Sequence, residues 1–389
     1  MKKLCVCHVT HIFSTRRYSH KGEWMYHFAR RGHEVYVVSS KLPNQPCHEE
    51  LDGIKIFRVP MDFSLKIRYP GYPVLRPRKV LLLISKLVRE YGVEVIHFRG
   101  IEWPTSLAAL FLDQIPKALT VVGIPGFNWF YGRMAIDAVA PFYSATIGKL
   151  IMDSVSKVVV RSKLIAVHLR RLGIPEGKIV VLVRGIDEEK FANLDVDTAR
   201  RDVRKALGLS EDDLVVLYVG RLEPMKGVEY LIRAIRVVLR WSESVKLVVV
   251  GYGTLSRLME KEAGRTPNII FLGFRRDIPQ LMAMADMLVL PSVSEAFPLV
   301  LVEAGFVGLP VIATNVGGVP DILDNGRAGI IVPPKNPRAL ANAILLLAED
   351  PDLRDRLGRA LKRHVTSTYR WDKVINEYER FFGELARNA

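Results

Sequence analysis

The sequence predicts an α/β protein built as two doubly wound parallel-sheet domains. Three observations carry this. Short runs rich in Val, Ile and Leu show little polar alternation, as strands buried on both faces of a parallel sheet do. Amphipathic stretches of helix length separate these runs, so strand and helix alternate along the chain. The alternation is played through twice, and 389 residues with 49% apolar content suffice for two domains of about 100–200 residues.

In order, the first set of strands is expected at Leu4–Val9, Glu34–Ser39, Ile54–Val59, Val93–Phe98, Leu119–Val122, Lys157–Val160 and Lys178–Leu182. The second set follows at Asp213–Val219, Lys246–Val250, Ile269–Leu272, Met287–Leu290, Val311–Ala313 and Gly329–Val332. Between the strands of the second set lie helical stretches such as Gly227–Arg240 and Gly253–Lys261, with Pro337–Ala348 after them and a final amphipathic helix at Trp371–Leu385. The break between the sets falls near Val183–Asp187, which gives domains over 1–184 and 185–370 and a last helix in 371–389. Open parallel sheets bind ligands beyond the carboxyl ends of their strands, so the loops after the strands are where chemistry is expected. Two such domains are expected to face one another across a central cleft.

Composition excludes several classes. A charged fraction of 25% with 9% aromatics is not that of a disordered chain. Asp137 and Asp286, or Gly317-Gly318 with Pro320, interrupt the longer apolar stretches, and no run reaches the ~20 apolar residues of a membrane-crossing helix. The opening Met1–Val9 has a basic head, but its apolar run is too short for a secretory signal and reads as a first strand. Three cysteines make no disulfide framework; Cys5 and Cys7 read as buried core thiols, so a reducing cytoplasm and no metal are expected.

Charge is divided unevenly. Residues 1–185 hold 28 Lys and Arg against 13 Asp and Glu, whereas residues 186–389 hold 28 against 28. The whole net charge of +15 therefore sits in the first half. Such asymmetry points to an anionic partner: lipid head groups, a phosphorylated acceptor or nucleic acid. No helix-turn-helix, zinc or RNA-binding signature accompanies it, so nucleic acid is not the expected partner.

Four blocks after strands of the second set could carry chemistry. Gly220-Arg221-Leu222-Glu223-Pro224-Met225-Lys226-Gly227 puts two cations on a strand-to-helix loop, which suits a diphosphate as well as it suits a solvated surface turn. Gly251-Tyr252-Gly253 is an incomplete glycine fingerprint that reads more readily as a tight turn. In Pro291–Ala304, Pro298 suits the first turn of a helix, and Glu295 and Glu303 lie eight residues apart. On one helix they would be ~12 Å apart, beyond the ~5–9.5 Å of paired glycosidase carboxylates. Separate duties follow, with Glu295 in a loop at the helix mouth and Glu303 within the helix. The fourth block, Thr314–Asp321, has the pair Gly317-Gly318, which lets backbone approach a ligand closely.

Together and in this order, these blocks resemble the nucleotide-sugar-binding half of family-4 retaining glycosyltransferases, which have the two-Rossmann GT-B fold. The likeness covers roughly Val180 to Leu323 and, more loosely, the whole chain. It takes in Gly273-Phe274 after the strand Ile269–Leu272, Gly308-Leu309-Pro310-Val311, and the spacing of Glu295 and Glu303. The resemblance implies a hexosyltransferase with a nucleotide diphosphate sugar, a UDP-sugar by preference, as donor substrate and no further cofactor. Arg221 and Lys226 would hold the diphosphate, Glu295 the sugar hydroxyls and Glu303 the ribose hydroxyls. Gly220, Gly251 and backbone groups at Phe297, Pro298, Leu299 and Val300 would border the donor, with Gly273, Phe274 and Arg275 flanking the base. The final helix would return to brace the first domain, which would take the acceptor.

In the first half, Arg31–Val35 matches the helix-to-strand junction of that family. The family's first-loop glycine pair should fall near Thr15-Arg16, but the loop there reads Ser14-Thr15-Arg16-Arg17-Tyr18-Ser19-His20-Lys21-Gly22. Its cations, Arg16 and Arg17 among them, are candidates for an anionic acceptor or phosphate. His97 matches a strand-end histidine, although it reads more readily as a satisfied core residue, and Arg99 stands where a second histidine is common. Thr120-Val121-Val122 has valine where the family often has a histidine. Trp129, in the aromatic stretch Phe127–Tyr131, is a candidate for stacking on sugar or touching lipid. Lys66, Arg68, Arg76, Arg78, Lys79, Lys86 and Arg89, with Leu81–Ile84 among them, suggest peripheral contact with an anionic membrane. The expected acceptor is a glycan or a lipid-linked compound. A non-catalytic nucleotide-sugar binder, and an epimerase or phosphorylase of the same fold, are the rival readings.

Overall fold

A computed structural model describes residues 2–11, 13, 23–42, 44–60, 77–101, 104–123, 134–264 and 266–388. The chain divides into two compact units. One contains Met1–Phe127, Ala135–Gly185 and Trp371–Ala389; the other contains Asn128–Met134 and Ile186–Arg370.

Among the described residues the first unit holds an eight-stranded sheet: β1 (Cys5–Val9), β2 (Glu34–Lys41), β3 (His48–Leu51), β4 (Ile54–Pro60), β5 (Val95–Arg99), β6 (Lys117–Val121), β7 (Lys157–Val160) and β8 (Ile179–Val181). Their spatial order is β3-β4-β2-β1-β5-β6-β7-β8, parallel throughout except for β3 against β4. Apolar periodicity does not mark β3, because its sequence, His-Glu-Glu-Leu, is polar; as an antiparallel edge strand it needs no apolar faces. The central strands are buried along their length, Cys5 and Cys7 included. Burial holds the Cys5 thiol up at about 12, so it stays protonated at neutral pH.

One face of this sheet is covered by helices Trp24–Arg30 and Trp371–Arg387, which contact each other. Trp24 is the keystone of that layer, stacked on Tyr378 with centroids 5.7 Å apart and tilted against Phe382 at 4.8 Å. Polar ties fix the register of the last helix. Glu379, 4% exposed, accepts from Arg31 Nη1 at 2.6 Å and lies 3.1 Å from His33 Nε2.

The second unit holds a six-stranded sheet among the described residues: β9 (Leu214–Val219), β10 (Val245–Val250), β11 (Ile269–Gly273), β12 (Met287–Leu290), β13 (Val311–Thr314) and β14 (Ile330–Val332). Their order is β11-β10-β9-β12-β13-β14, all parallel. Counted from β9, this is the 3-2-1-4-5-6 arrangement of dinucleotide-binding sheets. The chain leaves β9 toward β10 on one side and β12 toward β13 on the other, so the point where the strand order reverses lies at the loops after β9 and β12. Asp286, just before β12, locks its entry. Its carboxylate accepts from Arg200 Nη2, Arg204 Nη2 and Val215 N–H, each at 2.7 Å. The predicted helix beginning at Gly253 starts instead at Ser256, after a turn in which Ser256 Oγ accepts from Gly253 N–H at 2.9 Å.

Candidate active site

The loop after β9 ends in a short turn, Pro224–Lys226, and passes through Gly227 into the helix Val228–Val238. Gly227 takes a left-handed conformation (φ 63°), and a Cβ there would overlap the carbonyl oxygen of Pro291, at the end of β12. Only glycine lets the two loops meet this closely. Backbone then sews them together: Met225 carbonyl accepts from Val293 N–H at 2.9 Å and from Ser294 N–H at 3.3 Å. Across the seam Lys226 Nζ meets Glu295 Oε1 at 2.6 Å, and Ser292 Oγ donates to the same oxygen at 2.7 Å. Glu295 is 5% exposed, so its charge is held by these two donors rather than by water. Arg221, in contrast, is exposed, its guanidinium 4.0 Å from Met225 Sδ. Burial raises the Tyr218 phenol far above its ordinary value, keeping it a neutral donor to the Arg221 carbonyl at 2.9 Å.

The helix Leu299–Val307 begins directly beyond Glu295. Pro298 is its N-cap, one residue before the first-turn position predicted, because its ψ of 96° is still extended. No side chain caps this start, so the leading N–H groups of Leu299 and Val300 form an anion-seeking end shortly after Glu295, the partner of Lys226. Glu303 lies within this helix, half-buried, while Glu295 stays in the loop. The loop after β13 closes the rear. Thr314 Oγ1 donates to the Ser292 carbonyl at 2.5 Å, and Gly318 N–H donates to the Ala296 carbonyl at 2.9 Å. Gly317 (φ 51°) lies against Glu295, where a Cβ would overlap the Glu295 carbonyl oxygen. Phe297 packs against this loop at Gly318 and meets Tyr369 edge to face, centroids 5.4 Å apart.

The outer loops are placed as follows. Gly220 N–H donates to Val250 carbonyl at 3.0 Å, and Gly251 N–H donates to Gly273 carbonyl at 2.8 Å, so three successive strand ends are tied together. Phe274 is exposed, as is Tyr252 on the neighbouring loop, and the two offer apolar rings to solvent. Arg275 is committed to Asp277 through two bonds, 2.8 and 2.5 Å, which fixes it beside the loop.

In the first unit, His97 is buried with both ring nitrogens engaged: Nδ1 lies 3.0 Å from His8 Nδ1, and Nε2 lies 2.6 Å from Thr120 Oγ1. Arg99 reaches Glu23 at 3.7 Å, and Arg184 reaches the same carboxylate oxygen at 3.2 Å. Burial alone would raise Glu23, but Arg184, Arg99 and Arg161 together hold it below the usual carboxylate range. Arg16, Arg17 and Trp129 lie outside the described residues, as do Lys66, Arg68 and Arg76. Sequence reasoning gave no role to Ser292, Glu23 or Arg184. A serine three residues before Glu295 was a usable signal for the first; the others are brought together only by the fold.

Burial brings His8 down to about 3 and His11 to about 4, and pushes His97 well below the ordinary imidazole value. Unfolded imidazoles take up protons near pH 6.5, so below that pH the unfolded state binds more protons and folding loses up to about 1.4 kcal/mol per pH unit per histidine. The first unit should therefore lose stability as pH falls from about 6.5 toward 3. Residues 186–370 contain a single histidine, His364, and should respond far less. Calorimetry near neutrality and near pH ~4.5 checks this: one transition should move down while the other stays, and equal shifts of both would contradict it.

Among the described residues, no group of three His, Cys, Asp or Glu side chains is placed to hold a metal ion, and no helix is long and apolar enough to cross a membrane. Residues 21–185 match the glycosyl transferase 4-like domain, and residues 199–364 match the glycosyl transferases group 1 family. An uncharacterized glycosyltransferase of Methanocaldococcus jannaschii is 29% identical over 362 residues, covering 90% of this chain and 89% of that protein. N-acetyl-alpha-D-glucosaminyl L-malate synthase of Bacillus anthracis is 23% identical over 367 residues, 92% and 91% of the two chains. Among solved structures, HepE of Anabaena in complex with UDP and glucose superposes with a TM-score of 0.73 at 18% identity, covering 98% of this chain and 99% of that one.

Proposed function

The chain belongs to the family-4 glycosyltransferases of GT-B fold, and on that premise we propose that it transfers a hexose from a UDP-sugar, with retention, to the hydroxyl of an anionic acceptor, a glycan or a lipid-linked compound. The observation that carries this is the Lys226–Glu295 pair at the uncapped start of the helix Leu299–Val307. The bond between the sugar's anomeric carbon and the diphosphate oxygen breaks, and its electron pair leaves with the diphosphate. Lys226, Arg221 and the helix N–H groups stabilise that growing charge. The acceptor oxygen bonds to the anomeric carbon on the face being vacated, and its proton passes to the departing phosphate oxygen. Glu295 orients the hexose through its hydroxyls, and Glu303 takes the ribose hydroxyls. Support for the donor comes from HepE, solved with UDP and glucose. Support for an anionic acceptor comes from the arginines around Glu23 and from the L-malate in the name of the Bacillus anthracis relative.

Calorimetric titration with UDP-, GDP- and ADP-hexoses tests the donor assignment. The UDP-sugar should bind preferentially, and Glu303→Ala should weaken it by about 10–100-fold, the loss expected for a charged hydrogen bond. Equal binding by the variant would remove Glu303 from the ribose. Absence of binding by any of the three would remove the donor reading. Proton NMR of the product's anomeric coupling decides retention.

A further inference from the structure

The helical layer opposite the Trp371–Arg387 helix shows a surface that sugar transfer does not use. The helix Pro77–Tyr91 packs against the 3-10 segment Pro104–Phe111, which in turn packs against the helix Lys149–Ser154. These three elements, and the stretch Met134–Gly148 that runs into the last of them, expose large apolar side chains. Leu82 is 64% exposed, Phe111 67% and Phe142 74%, and Val139, Ile147 and Leu150 are exposed with them. Val139 and Phe142 are three apart on the helix Met134–Tyr143; Ile147 and Leu150 are three apart across the following turn. Each pair therefore shares a face. The stretch from Ala138 to Gly148 contains no charged residue, although the solvated face of a helix ordinarily carries them.

Helix Pro77–Tyr91 adds the complementary element. Its inner face is apolar and buried at Val80, Ile84 and Leu87. This narrows the sequence expectation, which offered all of Leu81–Ile84 to the membrane: Leu82 alone of these is fully exposed. On the solvent side, Arg78, Lys79, Lys86 and Arg89 surround Leu82, all exposed and within one helical stripe. Lys86 lies 3.7 Å from Glu90, and Lys149 lies 2.7 Å from Asp153; neither pair shields the other three cations. An apolar ridge bordered by cations, on the half of the chain that carries the +15 charge, matches the boundary between acyl chains and anionic head groups. A second copy of the chain fits poorly, because a symmetric contact would set these basic stripes against one another.

We propose that this face, with Leu82, Phe142 and Leu150 as the inserting residues and Arg78, Lys79 and Arg89 as the head-group contacts, docks the first unit on an anionic lipid bilayer. The proposal stands independently of the donor assignment. It is tested by flotation of the full chain with phosphatidylcholine vesicles, with and without one third phosphatidylglycerol. Wild type should float with the anionic vesicles at least about tenfold more than with the neutral ones. Phe142→Asp with Leu150→Asp should abolish flotation at any salt. Arg78→Glu with Lys79→Glu should reduce it by about tenfold or more and remove most of its salt dependence. All these positions are exposed, so the variants should keep wild-type UDP-hexose binding and circular dichroism. Flotation unchanged by either pair, or no flotation of wild type, would overturn the proposal. So would a wild-type dimer in solution that Phe142→Asp converts to monomer, since a second copy would then own the surface.

Discussion

Lys226→Ala is expected to lower turnover by about 10²–10³, the loss typical of one preorganised donor to a developing oxyanion. The variant does two things at once. It removes a cation from the place where diphosphate charge grows, and it leaves Glu295 buried with only Ser292 Oγ as a donor. Breaking a buried ion pair by removing one partner costs about 3–5 kcal/mol; with the Ser292 bond retained, the lower end is expected. Thermal stability of the second unit should fall accordingly. Arg221→Ala separates the two effects, because Arg221 is exposed and supports no buried partner. It should show a comparable kinetic loss with an unchanged melting temperature. Steady-state rates at saturating donor, measured beside calorimetry, check both variants, and near-normal rates from both would sink the diphosphate assignment.

Gly317→Ala should be strongly damaging although it touches no charge. A non-glycine residue in the left-handed region costs roughly 1–2 kcal/mol, and the added methyl would also overlap the Glu295 carbonyl. Nor can the loop swing aside cheaply, since Gly318 N–H is bonded to the Ala296 carbonyl at 2.9 Å. A total near ~3 kcal/mol corresponds to a fall of roughly 6–12 °C in a unit of this size. Because the displaced residue is Glu295, donor affinity should drop by about tenfold or more as well. Calorimetry of the variant with and without UDP-hexose measures both, and an alanine variant melting with wild type would show that the loop is not held as described.

How much of this was legible in the sequence follows from what the physics makes local. Lys157–Val160 and Met287–Leu290 were read with their observed bounds because a strand buried on both faces must be continuously apolar. The polar edge strand His48–Leu51 obeys no such rule and left no trace. The site of the second unit was readable because each part is a short segment at a strand end, and the sheet order alone brings the segments after Val219 and Leu290 together. The Glu23, Arg99 and Arg184 cluster was not, since its members come from three distant segments and none stands out alone. The exposed ridge of Val139, Phe142, Ile147 and Leu150 received no reading, for the periodicity of an apolar face does not say whether anything covers it.

The first unit is closed by a helix that the chain reaches only after passing through all of Ile186–Arg370. On a ribosome this reverses the usual order of completion, in which the amino-terminal domain finishes first. The second unit has its full sequence while Trp24, Phe28 and the inner face of the first sheet still await Tyr378 and Phe382. A nascent chain at that stage carries a bare aromatic layer beside a finished neighbour, making it a ready client for chaperones. Fusions or degradation tags at the carboxyl end therefore act on the folding of the first half of the sequence, and a circular permutant opened at Arg370 would restore the customary order.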